Sequence, residues 1–149
     1  MADMRHVKLG DSGLEVSRLC LGGMSFGVPT KPRPWTVGYD ETRAVIAAAT
    51  DAGINFVDTA NCYADGTSEE YIGRALRELG VPRDRVVLAS KVFYNDGGLS
   101  RTAIMREIDG TLARLGTDYL DLYVIHRFDA ATPVEETLEA LDELVRGGK

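Results

Sequence analysis

From residue 40 onward the chain alternates short apolar runs, rich in β-branched residues, with longer segments whose apolar positions recur at helical spacing. That alternation predicts successive βα units on a parallel sheet. A first helix is expected to open at Asp40 as N-cap, carry Val45, Ala48, Ala49 and Ala52 on one stripe, and stop at Gly53. Strand 54–57 follows. A second helix opens at Thr67-Ser68-Glu69-Glu70, a capping-box spacing, and runs through Ile72, Ala75, Leu76 and Leu79 to Gly80, with Pro82 beyond. Strand 86–89 comes next. The third helix begins near Ser100, aligns Ile104, Ile108, Leu112 and Leu115, and closes at Gly116 before strand 120–125. The fourth starts at Thr132-Pro133-Val134-Glu135, with Pro in the first helical position and Glu completing a box. It carries Leu138, Leu141, Leu144 and Val145 and ends at Gly147-Gly148.

Ahead of these units, Val7-Lys8-Leu9 and Leu14-Glu15-Val16 flank Gly10-Asp11-Ser12-Gly13, the pattern of a small hairpin, and 18–21 is the first strand of the main sheet. Four strands and four helices therefore alternate, strand first. The strands are short and apolar, which suits a sheet covered on both faces. Two architectures satisfy the pattern: a small doubly wound sheet, or half of an eight-fold barrel, which needs about 250 residues when complete. Periodicity does not separate them.

Composition narrows the function. The chain has 149 residues, 44% hydrophobic and 27% charged, as a globular protein should. No run approaches the roughly 18 to 20 apolar residues of a membrane span, and the first six residues lack a hydrophobic signal core, so a soluble, cytoplasmic protein is expected. A net charge of -6 argues against nucleic acid as partner, since such binding rests on phosphate neutralisation. A small anionic cofactor stays open. Cys20 and Cys62, inside regular or buried segments, are expected as reduced thiols, and no zinc spacing occurs.

The first strand leads into Gly22-Gly23-Met24-Ser25-Phe26-Gly27, which lacks the G-x-G-x-x-G spacing, and no Walker loop is present, so a Rossmann domain is disfavoured. Gly10-Asp11-Ser12-Gly13 reads as turn chemistry rather than a nucleophile segment. The informative residues end successive strands: Asp58, Lys91 and His126, with Tyr63 five residues past Asp58. In a parallel α/β fold these ends share one rim, where ligands gather. Taken singly, each has a structural role open to it: a turn cap for Asp58, a snorkelling chain for Lys91, packing for Tyr63 and His126. Together they make a proton donor with its tuning groups. A phenol is a poor acid at neutral pH unless its anion is stabilised, and a cation about 4 Å away contributes roughly 4 kcal/mol at an effective dielectric of about 20. Lys91 can supply that cation, Asp58 can orient it, and His126 can hold a substrate oxygen.

At this point the sequence resembles the aldo-keto reductases. The likeness lies in 16–24, Gly53-Ile54-Asn55-Phe56-Val57-Asp58-Thr59-Ala60-Asn61-Cys62-Tyr63, Gly66-Thr67-Ser68-Glu69-Glu70, Ala89-Ser90-Lys91-Val92 and Asp121-Leu122-Tyr123-Val124-Ile125-His126-Arg127. The resemblance implies an (α/β)8 TIM-type barrel, NADPH bound without a Rossmann fold, and reduction of aldehydes and ketones. It assigns Tyr63 as general acid, Lys91 and Asp58 as its tuning pair and His126 as the group orienting the carbonyl. Gly22, Gly23, Met24 and Asp58 fall beside the nicotinamide, and Trp35, Phe93, Tyr94 and Arg127 fall where pocket walls stand; no metal site is implied.

Family members run to about twice this length, so the chain reads as the amino-terminal half of a barrel: a hairpin over 1–17 and four βα units over 18–149. The other half supplies much of the grip on the adenosine phosphate, so tight NADPH binding by this chain alone is not expected. A half barrel leaves its first and fourth strands unpaired, which a second copy or a complementary half would cover. The expected activity is NADPH-dependent carbonyl reduction. Two alternatives accompany it: a non-catalytic homologue acting through assembly with another chain, and a Schiff-base lyase or aldolase using Lys91.

Overall fold

The computed structural model describes residues 4–149; residues 1–3, which the sequence reading attaches to the hairpin, lie outside the described residues. Strands β1 (His6–Lys8) and β2 (Glu15–Ser17) pair antiparallel. The Ser12 hydroxyl closes the connecting turn by donating to the Leu9 carbonyl at 2.6 Å, so Gly10 to Gly13 is turn as expected.

The main sheet has four parallel strands, β3 (Cys20–Gly22), β4 (Phe56–Asp58), β5 (Val87–Val92) and β6 (Leu122–Ile125), in that spatial order. Helices α1 (Tyr39–Asp51), α2 (Thr67–Glu78), α3 (Arg101–Leu115) and α4 (Val134–Arg146) follow them in turn. A doubly wound sheet reverses strand order at a switch point. Here every strand pairs with its successor, the progression of a TIM-type barrel, and the four βα units form part of one.

Register sorts the side chains. Gly22 lies opposite Asp58, Asp58 opposite Ala89, and Lys91 opposite Val124. Successive side chains point to opposite faces, so Asp58, Ala89, Lys91 and Val124 share one face. Val57, Leu88, Ser90 and Val92 share the other, where they are buried under the helices. Ile46, Val57, Ile72, Leu76 and Leu88 make one core cluster, and Val92, Ile104, Ile108, Leu112 and Leu144 another. Each fully buried Ile contributes roughly 2 to 3 kcal/mol. Gly73 marks the closest helix approach: a Cβ there would collide with the Leu115 carbonyl, so only glycine lets α2 meet the end of α3.

Several element details differ from the sequence expectation. The buried stripe of α1 is Thr42, Ile46 and Ala49, with Val45, Ala48 and Ala52 exposed. Its N-cap is Gly38, because α1 starts one residue before Asp40. Neither capping box forms. Gly66 caps α2, while the Thr67 hydroxyl donates to the Ala64 carbonyl at 2.7 Å. At α4, Pro133 is itself the cap residue and Thr132 donates to Asp129 instead. Leu138 and Val145 of α4 are exposed; Thr137, Ala140 and Leu144 face the core. Strand β5 runs on to Val92, so Lys91 lies within it. Cys20 and Cys62 are unpaired thiols, as expected, with Cys20 exposed in the regular strand β3.

Between the sheet and the helices sits one charged pair. The fully buried Glu69 carboxylate accepts from Ser90 Oγ at 2.5 Å and from Arg114 Nε at 2.6 Å. A buried carboxylate that loses its cation costs about 3 to 5 kcal/mol, whereas replacing both partners by apolar groups is often neutral. Arg114→Met should therefore lower unfolding stability by about 3 kcal/mol in urea titrations, and adding Glu69→Leu should recover much of the loss. An additive double mutant would contradict this account.

Candidate active site

The rim is assembled by backbone pairing that continues beyond the strands. Thr59 N–H donates to the Ala89 carbonyl at 2.9 Å and Asn61 N–H to the Lys91 carbonyl at 3.1 Å, which carries the chain from β4 up to Tyr63. There it reverses sharply. Ala64 (φ 47°) and Asp65 (φ 56°) are both left-handed, ahead of Gly66 (φ 92°). Two consecutive non-glycine residues in that region are uncommon and store strain. The reversal turns Tyr63 back toward β5.

Three groups converge on Lys91. Its Nζ donates to Asp58 Oδ2 at 2.6 Å, to the Thr59 carbonyl at 2.9 Å and to the Tyr63 hydroxyl at 3.3 Å. The Lys91 side chain is only 15% exposed and Asp58 33%, so this pair is shielded well beyond a surface ion pair. His126 stands just past β6, its N–H donating to the Val92 carbonyl at 3.0 Å. Its ring lies edge-on to Tyr63 (centroids 5.6 Å, 83°) and to Tyr94 (5.1 Å, 82°). Nδ1 is 3.8 Å from Cys62 Sγ. Burial holds the imidazole below its ordinary pKa; the Lys91 charge adds to this and Asp58 opposes it. Burial also pushes the Cys62 thiol up, so it stays protonated.

A cavity of about 340 Å³ opens on this group, lined by Met24, Arg33, Trp35, Cys62, Tyr63, Ala64, Tyr94 and His126. Thus Tyr63, Lys91, Asp58 and His126 are brought together, and Met24, Trp35 and Tyr94 stand at the same cleft. Gly22 is beside Asp58 at the end of β3, where nothing lies within 4 Å of a built Cβ. Gly23 is buried: its N–H donates to the Asp58 carbonyl, its carbonyl accepts from Ser68, and a Cβ would press on Ile72. Phe93 packs on the α3 and α4 core and meets Tyr94 edge-on at 5.0 Å, outside this cleft. Arg127 is exposed and does not line it.

Sequence reasoning did not pick out Arg33, Cys62 or Ala64. Cys62 carried a signal, being adjacent to Tyr63. Arg33 carried none, because its place depends on how the loop after β3 folds over the rim. Among the described residues, no three His, Cys, Asp or Glu side chains converge to hold a metal, and no helix is long and apolar enough to cross a membrane.

A parallel βα progression with ionisable side chains gathered at the carboxyl rim defines a barrel-type α/β protein. The model of the Aldo/keto reductase family matches residues 18–149, and the chain belongs to that family. It is 38% identical to an aldo-keto reductase of Fusarium vanettenii, over 98% of this chain and 46% of the relative. It is 42% identical to a probable voltage-gated potassium channel subunit beta of Oryza sativa subsp. japonica, over 97% of this chain and 44% of the relative. Among solved structures, a thermostable aldo-keto reductase in complex with the inhibitor epalrestat matches with TM-score 0.82 and 36% identity, over 97% of this chain and 51% of that one. The chain spans about half the length of the curated relatives it matches.

The imidazole environment is testable by NMR titration. His126 should titrate below about 6.5, the ordinary histidine value. Lys91→Met should move the midpoint up and Asp58→Asn should move it down. Because the folded value is lowered, the unfolded chain binds more protons below about 6.5, so this group costs stability as pH falls through that region and nothing above it. A midpoint at or above 6.5 would contradict the burial argument.

Proposed function

We propose that the protein is an NADPH-dependent reductase of aldehydes and ketones with Tyr63 as general acid. The observation that carries this reading is the single Lys91 ammonium shared by Asp58, the Thr59 carbonyl and the Tyr63 hydroxyl at the mouth of an aromatic cleft. The residues suit the nicotinamide end of the cofactor: the open floor at Gly22, the Met24 side chain and the polar edge of Asp58 would hold it. When bound, NADPH supplies the hydride that reaches the carbonyl carbon.

The chain's own residues do the rest. Tyr63 gives its hydroxyl proton to the carbonyl oxygen, and Lys91 stabilises the phenolate left behind. Asp58 keeps the ammonium oriented. His126 is neutral at pH 7, and in the tautomer whose Nδ1 accepts from the Cys62 thiol the ring proton sits on Nε2. That N–H can then hold the carbonyl oxygen in line. Trp35 and Tyr94 line the cleft beside the bond.

The Schiff-base alternative fits less well, because all three N–H directions of Lys91 have acceptors and the amine is engaged as a donor. A second reading, function through assembly with another chain, is favoured by the likeness to the rice relative named as a channel subunit and by the exposed Leu138 and Val145 of α4.

Tyr63→Phe separates the readings. In the full-length protein it should lower kcat/KM for a simple aldehyde by about 10² to 10⁴-fold, the usual range for a positioned general acid, while leaving the far-UV spectrum intact. Unchanged carbonyl reduction would overturn the assignment. A wild-type protein that neither binds nor oxidises NADPH would favour the assembly reading.

A further inference from the structure

Among the described residues, Arg33 is the one Lys or Arg side chain that lines the cleft, and the proposed mechanism does not use it. It sits in the loop after β3 among three prolines, Pro29, Pro32 and Pro34. Its backbone is pinned to Thr30 by reciprocal hydrogen bonds of 3.0 and 3.4 Å, and its carbonyl accepts from Thr36 Oγ1 at 3.1 Å. The guanidinium is therefore delivered from a braced turn, which lowers the cost of ordering it around a ligand.

Among the described residues its side chain has a single partner, Asp65, through one bond of 3.0 Å from Nη1. Asp65 is 76% exposed, so the pair is solvent-screened and worth about 0 to 1 kcal/mol. Nε and Nη2 have no acceptor among those residues. A guanidinium fork with unused donors matches carboxylate and phosphate oxygens in bidentate geometry. Its field also reaches the site: the Arg33 charge acts on the Cys62 thiol, next to Tyr63. The remaining cleft walls, Met24, Trp35 and Tyr94, suit a short apolar or weakly polar linker.

We propose that Arg33 is an anion-recognition residue that selects carbonyl substrates bearing a carboxylate or phosphate at the end remote from the reacting carbonyl. The substrate spans the cleft, its carbonyl at Tyr63 and His126 and its anionic end on the Arg33 fork, where it displaces the exposed Asp65. This deepens the carbonyl-reductase reading and rests on it. Asp65 tunes the selection, because it competes for the same guanidinium.

The test uses matched pairs on the full-length protein: 4-oxobutanoate against its neutral methyl ester, and glyceraldehyde 3-phosphate against glyceraldehyde. Arg33→Gln should raise KM at least tenfold for an anionic member and less than twofold for its neutral partner, with kcat kept within twofold. Arg33→Lys, which keeps charge and loses the fork, should fall between. Asp65→Asn should lower KM for the anionic member only. A response confined to one pair identifies whether carboxylate or phosphate is the recognised group. Equal effects on charged and neutral members, or no effect on either, overturn the proposal.

Binding gives a readout independent of turnover, because Trp35 lines the same cleft. Its fluorescence, titrated with 4-oxobutanoate and with glyceraldehyde 3-phosphate in the absence of cofactor, should report at least tenfold weaker binding in Arg33→Gln for the recognised anion. If the wild type reduces none of the four compounds, the reductase reading fails, and the titration still decides whether Arg33 binds an anion. Titrations unaltered by the substitution in both arms overturn it.

Discussion

Strand β5 holds two charged networks on opposite faces, and the site depends on their staying in phase. Ser90 points outward to the buried Glu69, which Arg114 of α3 neutralises; the next residue, Lys91, points inward to Asp58 and Tyr63. Period-2 alternation allows no compromise: a one-residue slip would put the lysine under the helices and the serine at the rim. The Glu69 pair therefore acts as a register device. It is also an expensive one, since desolvating a carboxylate and a guanidinium together rarely beats an apolar replacement. Its evident return is that α2, α3 and β5 share one alignment, from which both the Tyr63 turn and the Lys91 side chain are hung.

The strength of the rim ion pair follows from the same layering. Lys91 is roofed by the Thr59 carbonyl and walled by Asp58, so its partners are protein atoms rather than water. At an effective dielectric near 20, a charge pair about 4 Å apart is worth roughly 4 kcal/mol, against about 1 in water. The same ammonium disfavours a second positive charge nearby, which together with burial keeps His126 neutral. One lysine thus holds the Tyr63 hydroxyl and helps to suppress the imidazolium, and both rings face the same cleft.

The parallel βα progression was legible because its strands are short and apolar and its middle helices keep a strict stripe: Ile104, Ile108 and Leu112 are all buried as their spacing requires. The flanking helices were read less well. In α1 the apolar residues run nearly around the helix, and in α4 one edge of the apolar stripe, Leu138 and Val145, stays exposed, so the larger apolar residues did not mark the core face; Thr42, Thr137 and Ala140 occupy part of it instead. Capping boxes failed for a related reason. Thr67 and Thr132 spend their hydroxyls on loop carbonyl and carboxylate oxygens nearby, a competition that sequence spacing does not reveal. The rim tetrad was legible because Asp58 ends β4, Lys91 lies one residue short of the end of β5, His126 follows β6 and Tyr63 lies in the loop after β4. Arg33 was not, because only the folded loop after β3 brings it to the wall.

The strained turn after Tyr63 ties these parts together. Ala64 and Asp65 hold left-handed backbone with no glycine to ease it, at a cost of order 1 to 3 kcal/mol each. A relaxed path would need a longer loop, and Tyr63 would lose its fixed distance to Lys91. The strained path does two things at once: it turns the phenol onto the ammonium, and it lifts Asp65 to meet Arg33 from the opposite wall. The turn is buttressed where strain must be resisted, with the Thr67 hydroxyl bonded to the Ala64 carbonyl and accepting from Val28 N–H. Those contacts bind the loop after β3 to the start of α2. The cleft is consequently bordered by two braced turns, each held by backbone and hydroxyl hydrogen bonds.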